Sequence, residues 1–129
     1  MATRSNIGIR TENNTILAAY CHWDGYLAYN GQMLFDNYQD VDDILDLVAL
    51  GSFSCLKETV EETATDDRNV DAIASWEPEE IEDTPEGIKE FFENSDREYL
   101  YVYDTEEECW YYAEFSELHL LEPALKNLD

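Results

Sequence analysis

Residues Tyr20–Tyr38 read YCHWDGYLAYNGQMLFDNY, and the fold class turns on how this stretch is parsed. Its opening residues continue a run, Ile16 to Trp23, with the β-branched and aromatic content of a strand. Asp24-Gly25 then signals a turn, because Asp bonds its local backbone and Gly supplies a positive φ. From about Tyr29 to Tyr38, the spacing of Met33, Leu34 and Tyr38 suits one face of a helix. A strand that turns into a helix predicts a domain mixing α and β elements. The stretch also gathers half-polar aromatics and the adjacent pair Cys21-His22 into a part of the chain with almost no net charge.

Upstream, Ile7 and Ile9 alternate with Asn6, Gly8 and Arg10, and Glu12-Asn13-Asn14-Thr15 is polar. Asn tolerates the left-handed backbone of tight turns, so an opening β-hairpin is expected. Downstream, Asp40 is placed to cap a helix from Val41 to Leu50, with Asp42 and Asp43 in the first turn and Gly51 as the stop. Its apolar stripe of Val41, Ile44, Leu47 and Val48 leaves Asp42, Asp43 and Asp46 toward water or a partner. Val70, Ala72, Ala74 and Trp76 alternate as a short strand would. The segment 77–83 is so acidic and so poor in apolar residues that a loop is expected. Thr84-Pro85 then opens a helix that buries Ile88, Phe91 and Phe92, exposes Glu86, Glu90 and Glu93, and ends near Asn94. Tyr99–Tyr103 and Cys109–Phe115 form a second hairpin around Asp104–Glu108, with Tyr99, Tyr101 and Tyr103 on one face and Leu100 and Val102 on the other. A short terminal helix begins at Pro123. The sum is one α+β domain over residues 1–129, a mostly antiparallel sheet of about five strands (two hairpins plus one strand) with two or three helices on one face.

Composition agrees with a folded chain. The 129 residues include 44% apolar residues and 17 aromatics, enough for a core despite the charge. The three cysteines are odd in number and widely spaced, which argues against a disulfide framework and for a reducing compartment. Neither a leader nor an apolar run long enough to span a membrane is visible, so the expectation is a soluble intracellular protein.

The net charge is -24. Residues 1–35 hold only Glu12 and Asp24 against Arg4 and Arg10, leaving 29 of the 31 acids and five of the seven bases to residues 36–129. Solubility asks for a magnitude of roughly 2–8 in a small domain, and surplus charge opposes compaction. Direct nucleic-acid binding is disfavoured by this charge. An acidic surface does suit the opposite role. Acids three or four apart on a helix lie roughly 5–6 Å from one another, comparable with phosphate spacing, and Asp36, Asp40 and Asp43, then Glu86, Glu90 and Glu93, have such spacing. The candidate partner-binding residues are Asp40, Asp42, Asp43, Asp46, Glu79, Glu80, Glu82, Glu86, Glu90 and Glu93.

A second candidate is a ligand pocket of Arg4, Tyr20, His22, Trp23 and Tyr26, since aromatic rings stack on flat groups and Arg matches phosphate. A third is a thiol nucleophile, Cys21 beside His22 and Asp24. Adjacent residues on a strand point to opposite faces, which works against it, although His119 with Cys21 or Cys109 is an alternative pairing. Metal sites find no support, because the cysteines and histidines lack any CxxC or HxxxH spacing and no loop has a calcium-site pattern. No Gly-rich phosphate loop is present. No cofactor is implied.

The residues Thr3-Arg4-Ser5-Asn6-Ile7, Tyr20-Cys21-His22-Trp23-Asp24-Gly25-Tyr26, Gly31, Leu34, Tyr38, Ala49-Leu50-Gly51, Ser54 and Leu56 resemble a family of small, uncharacterised accessory proteins of tailed bacteriophages. The resemblance covers roughly the first 56 residues and implies a viral protein made in a bacterial cytoplasm. It brings no catalytic residues with it. Together with the charge, it leads to the expectation of a non-enzymatic anti-defence protein, a stoichiometric inhibitor of a host restriction or CRISPR-type protein whose basic nucleic-acid-binding cleft takes the acidic surface as a DNA mimic.

Overall fold

The computed structural model describes residues 3–69, 76–115 and 117–128. Seven strands form a single mixed sheet: β1 (Ser5–Arg10), β2 (Thr15–Cys21), β3 (Ser52–Phe53), β4 (Glu79–Glu82), β5 (Tyr99–Asp104), β6 (Cys109–Glu114) and β7 (Leu118–Leu120). The helices are α1 (Gln32–Asn37), α2 (Val41–Ala49), α3 (Val60–Thr65), α4 (Pro85–Asn94) and α5 (Leu121–Lys126), with a π-helical turn at Leu27–Gly31 leading into α1.

Both expected hairpins form, with Ile7 opposite Ala19 and Tyr101 opposite Tyr112. What joins them overturns the mostly antiparallel five-stranded sheet: β1 pairs with β5 in parallel, and β2 pairs with β3 in parallel. The order is β3-β2-β1-β5-β6-β7, and β4 joins the outer side of β2 in antiparallel. Helices also cover both faces rather than one. Ile7, Ile9, Tyr101 and Tyr103 pack with Leu34 of α1, Ile44, Leu47 and Val48 of α2, and Leu121 of α5. On the opposite face Ile16, Ala18, Leu100 and Val102 pack with Ile88 and Phe92 of α4. Alternation along a strand sends successive residues to opposite faces, so strands apolar at both parities must be covered twice, as a parallel pair inside a sheet normally is.

The acidic loop expected over 77–83 is also corrected. Glu79–Glu82 form β4, in which Ile81 is buried opposite Ile16. One apolar residue and a ladder of backbone bonds to β2 suffice for a strand whose composition argues against it. Of the alternating run, Val70, Ala72 and Ala74 lie outside the described residues. The helix from Thr84 runs Pro85–Asn94 as its capping signals indicate, with Thr84 Oγ1 accepting from Gly87 N at 3.0 Å. Gly51, at φ 82, ends α2. In the Asp24-Gly25 turn the positive φ of 57 belongs to Asp24 instead. Gly25 is needed for space, since a Cβ there would meet Thr3 O at 2.7 Å.

Candidate protein-interaction surface

The acidic surface is built from helix starts. Asp40 caps α2 by accepting from Asp42 N at 2.8 Å, and Asp42 and Asp43 occupy the first turn, where the helix dipole favours anions. Burial of Ile44, Leu47 and Val48 fixes the helix's rotation, so Asp42, Asp43 and Asp46 are exposed. A helix not anticipated from the sequence extends this surface. Thr59 caps α3 with Oγ1 accepting from Glu62 N at 3.0 Å, leaving Glu61 and Glu62 exposed. Its signal was legible, because Thr59-x-x-Glu62 has the spacing of a capping box. Asp43 of α2 and Glu58 and Glu61 before and within α3 line one crevice beside Tyr38, so acids from two helices converge there.

The other six candidate acids lie on β4 and α4. Glu79, Glu80, Glu82 and Glu90 line a groove of about 340 Å³ between β4 and α4, with Ile81 and Phe91 also lining it. Glu86, Glu90 and Glu93 are exposed on α4. The ten residues therefore form two groups, one on α2 and one on β4 and α4; within β4 the register places Glu79 on the α4 face with Ile16 and Ala18, and Glu80 on the face of Leu17, which packs toward α2. Of the ten, only Glu79 meets a cation, Arg97 Nη2 at 2.8 Å. Among the described residues, eight ion pairs engage six of the seven cations but only six acids. Six of the cations are thus already paired, and the acids of α2 have no cation partner among the described residues.

The aromatic candidates are partly assembled and already occupied. Tyr20 OH and His22 Nδ1 lie 2.7 Å apart, and His22 meets Trp23 edge to face. The guanidinium over the Tyr20 ring, 4.3 Å from its centroid, is that of Arg97, a residue the sequence reading missed. Trp76 stacks on Tyr20 at 4.8 Å. Arg97 donates Nε to Asn6, Nη2 to Glu79 and Nη1 to Asp96, so its donors serve the protein. Arg4 pairs with Asp96 at 3.2 Å, and Tyr26, exposed, takes no part in these ring contacts. Burial raises the Tyr20 hydroxyl, opposed by Arg4 and Arg97.

The thiol candidate is sequestered. Cys21 is fully buried, its Sγ donates to Trp23 O at 3.4 Å, and burial pushes its pKa up to about 12. A buried thiol so raised is not a nucleophile near neutrality. His22 turns instead to Tyr20, as strand alternation requires. Cys109 is raised by burial and by Glu107, and His119 packs on Tyr112. Among the described residues no cluster of His, Cys, Asp or Glu has the arrangement of a metal site, and no helix is long and apolar enough to cross a membrane.

At the far end of the α4 face, an unanticipated network fixes Arg10. Its Nη1 donates to Asp104 Oδ2 at 2.6 Å, and its Nε lies 2.9 Å from Asp83. Burial alone would raise Asp104, but the Glu107 and Glu106 amides and Arg10 outweigh it and hold the carboxyl below the ordinary range. The chain matches no protein-family model, no curated protein and no solved structure.

Proposed function

We propose that this protein is a non-enzymatic inhibitor that occupies the basic nucleic-acid-binding cleft of a host protein, with the acids of α2 and α3 standing in for phosphates. The single observation that carries the reading is the imbalance of charge: six of seven cations are tied into ion pairs, whereas Asp42, Asp43 and Asp46 project from a rigidly packed helix with none. Fixed carboxylates at helical spacing lose little entropy on binding and steer a basic partner over long range. The family resemblance extends the proposal to a phage protein directed at a restriction or CRISPR-type effector in the bacterial cytoplasm. The α4 acids form a second, separate contact region, since α4 packs on the opposite face of the sheet from α2.

The test is capture from bacterial lysate at two salt concentrations, with duplex DNA added as competitor. A partner retained at low salt, released at high salt and displaced by DNA supports the reading, because both ligands then compete for one cleft. A partner whose retention ignores salt and DNA alike overturns it.

A further inference from the structure

The parallel neighbours β1 and β5 end side by side, at Arg10 and Asp104, and their chains then diverge, one turning to β2 and the other to β6. Divergence beyond the carboxyl ends of parallel strands opens a crevice in mixed sheets, and here it contains a cavity of about 540 Å³. Ile9, Leu17, Val41 and Leu45 supply its apolar lining, with Leu45 of α2 45% exposed. Glu12, Asp83, Asp104 and Glu106 supply its charge.

Arg10 is the one cation in the lining. Held between Asp83 at 2.9 Å and Asp104 at 2.6 Å, it is neutralised and has no charge to offer an anion. Four carboxylates less one guanidinium leave three negative charges around apolar walls. The complementary group has an aliphatic stem and a cationic head. That combination is an arginine or lysine side chain, whose methylenes lie on apolar surface while the head seeks charge.

We propose that this cavity receives a basic side chain projected by the partner protein, its stem against Leu17, Val41 and Leu45 and its head between Glu12 and Glu106. The inference rests on the reading above, because the partner's basic cleft supplies the side chain. It adds a defined anchor to an otherwise diffuse electrostatic contact, and anchors of this kind, Arg among the most frequent, carry much of the affinity in protein interfaces.

The experiment titrates the whole chain with Nα-acetylarginine amide while methyl resonances are followed by NMR. Saturable shifts are expected at Leu17, Val41 and Leu45. Affinity should fall at least tenfold in Leu45→Trp, which plugs the mouth from an exposed position, and in the double variant Glu12→Gln, Glu106→Gln, which preserves shape. Shifts spread over surface acids without saturation at these methyls, or equal affinity in the variants, overturn the proposal. For the captured partner, an affinity at least tenfold weaker with Leu45→Trp is expected. An unchanged affinity overturns the anchor and leaves the electrostatic reading standing, whereas salt-independent capture by the wild-type chain defeats that reading even if the probe binds the cavity.

Discussion

The two layers flanking the sheet treat charge differently. On the α4 side, Arg97 and Arg10 sit among acids at distances of 2.6–3.2 Å, Arg97 beneath Trp76 and Tyr20 and Arg10 beside Tyr111. On the α2 side, Asp36, Asp40, Asp42, Asp43, Asp46, Glu61 and Glu62 are exposed, and none has a cation partner among the described residues. Arg10 and Arg97 thus join strands to one another, whereas Lys57, Arg68 and Lys126 pair locally with Asp66 after α3 and Glu122 on α5. The surplus anions are left facing outward on helices whose rotation the core fixes.

The largest effect tests whether that contrast has functional meaning. Reversing Asp42, Asp43 and Asp46 to Lys should weaken partner binding by about 100-fold or more, because like charges set against each other across an interface cost several kcal/mol. The same number of reversals on α4, Glu86, Glu90 and Glu93 to Lys, should cost less than about tenfold, since Lys89 already lies among them and the patch is a secondary contact. Titration calorimetry of both triple variants decides it. Equal losses would erase the distinction between the layers, and no loss in either would remove the electrostatic account.

Next in size is a stability effect confined to the paired side. Arg97→Met keeps a long stem yet deprives buried Asn6 of its 3.0 Å donor and Glu79 of its cation. Loss of a buried pair's partner costs roughly 3–5 kcal/mol, and the partial exposure of Glu79 lowers the expectation to about 2 kcal/mol. Urea unfolding measures this. A change below about 0.5 kcal/mol would mean that the guanidinium bridge does not tie β1 to β4.

Asp40 separates the two roles an acid can have on α2. Asp40→Asn keeps a capping oxygen and should leave stability within about 0.5 kcal/mol, while Asp40→Ala should lose about 1 kcal/mol. Both remove one negative charge, so both should weaken partner binding equally and by a few fold. Unequal binding losses would show that Asp40 acts through the order of the helix rather than through its charge.

What could be read from the sequence follows the range of the signal. The hairpins, α2 and α4 rest on neighbours within a few residues: Asn14 at φ 58, the Asp40 cap, and Thr84-Pro85, where Thr84 Oγ1 accepts from Gly87 N. The pairing of β1 with β5 joins residues more than ninety positions apart, Ser5 with Tyr99, and no local pattern encodes it. A trace was nevertheless present, because Ile16 and Ala18 as well as Ala19 and Cys21 are apolar and buried, at both strand parities. β4 was invisible because its strand character comes from β2 rather than from Glu79-Glu80-Ile81-Glu82 itself. At the surface, exposed acids were legible from helical phase, but Arg97 was not, since its contacts with Asn6 and Glu79 depend on how the strands assemble.

The smallest effect is a pH dependence that belongs to the paired side alone. Asp104 accepts from the Glu106 and Glu107 amides at 2.9 Å and from Arg10, and its carboxyl is held below the ordinary range. A group whose folded pKa is depressed stabilises the fold at pH above its unfolded value, near 3.9, and that contribution is lost as pH falls through the folded value. The unfolding free energies of the wild type and Asp104→Asn should therefore differ most at pH 7 and converge toward pH 3. The same comparison in Asp46→Asn, an exposed acid with no cation partner among the described residues, serves as the control. If both gaps were independent of pH, Arg10 and Asp104 would be neighbours without energetic coupling, and the division between compensated strands and uncompensated helices would be one of position only.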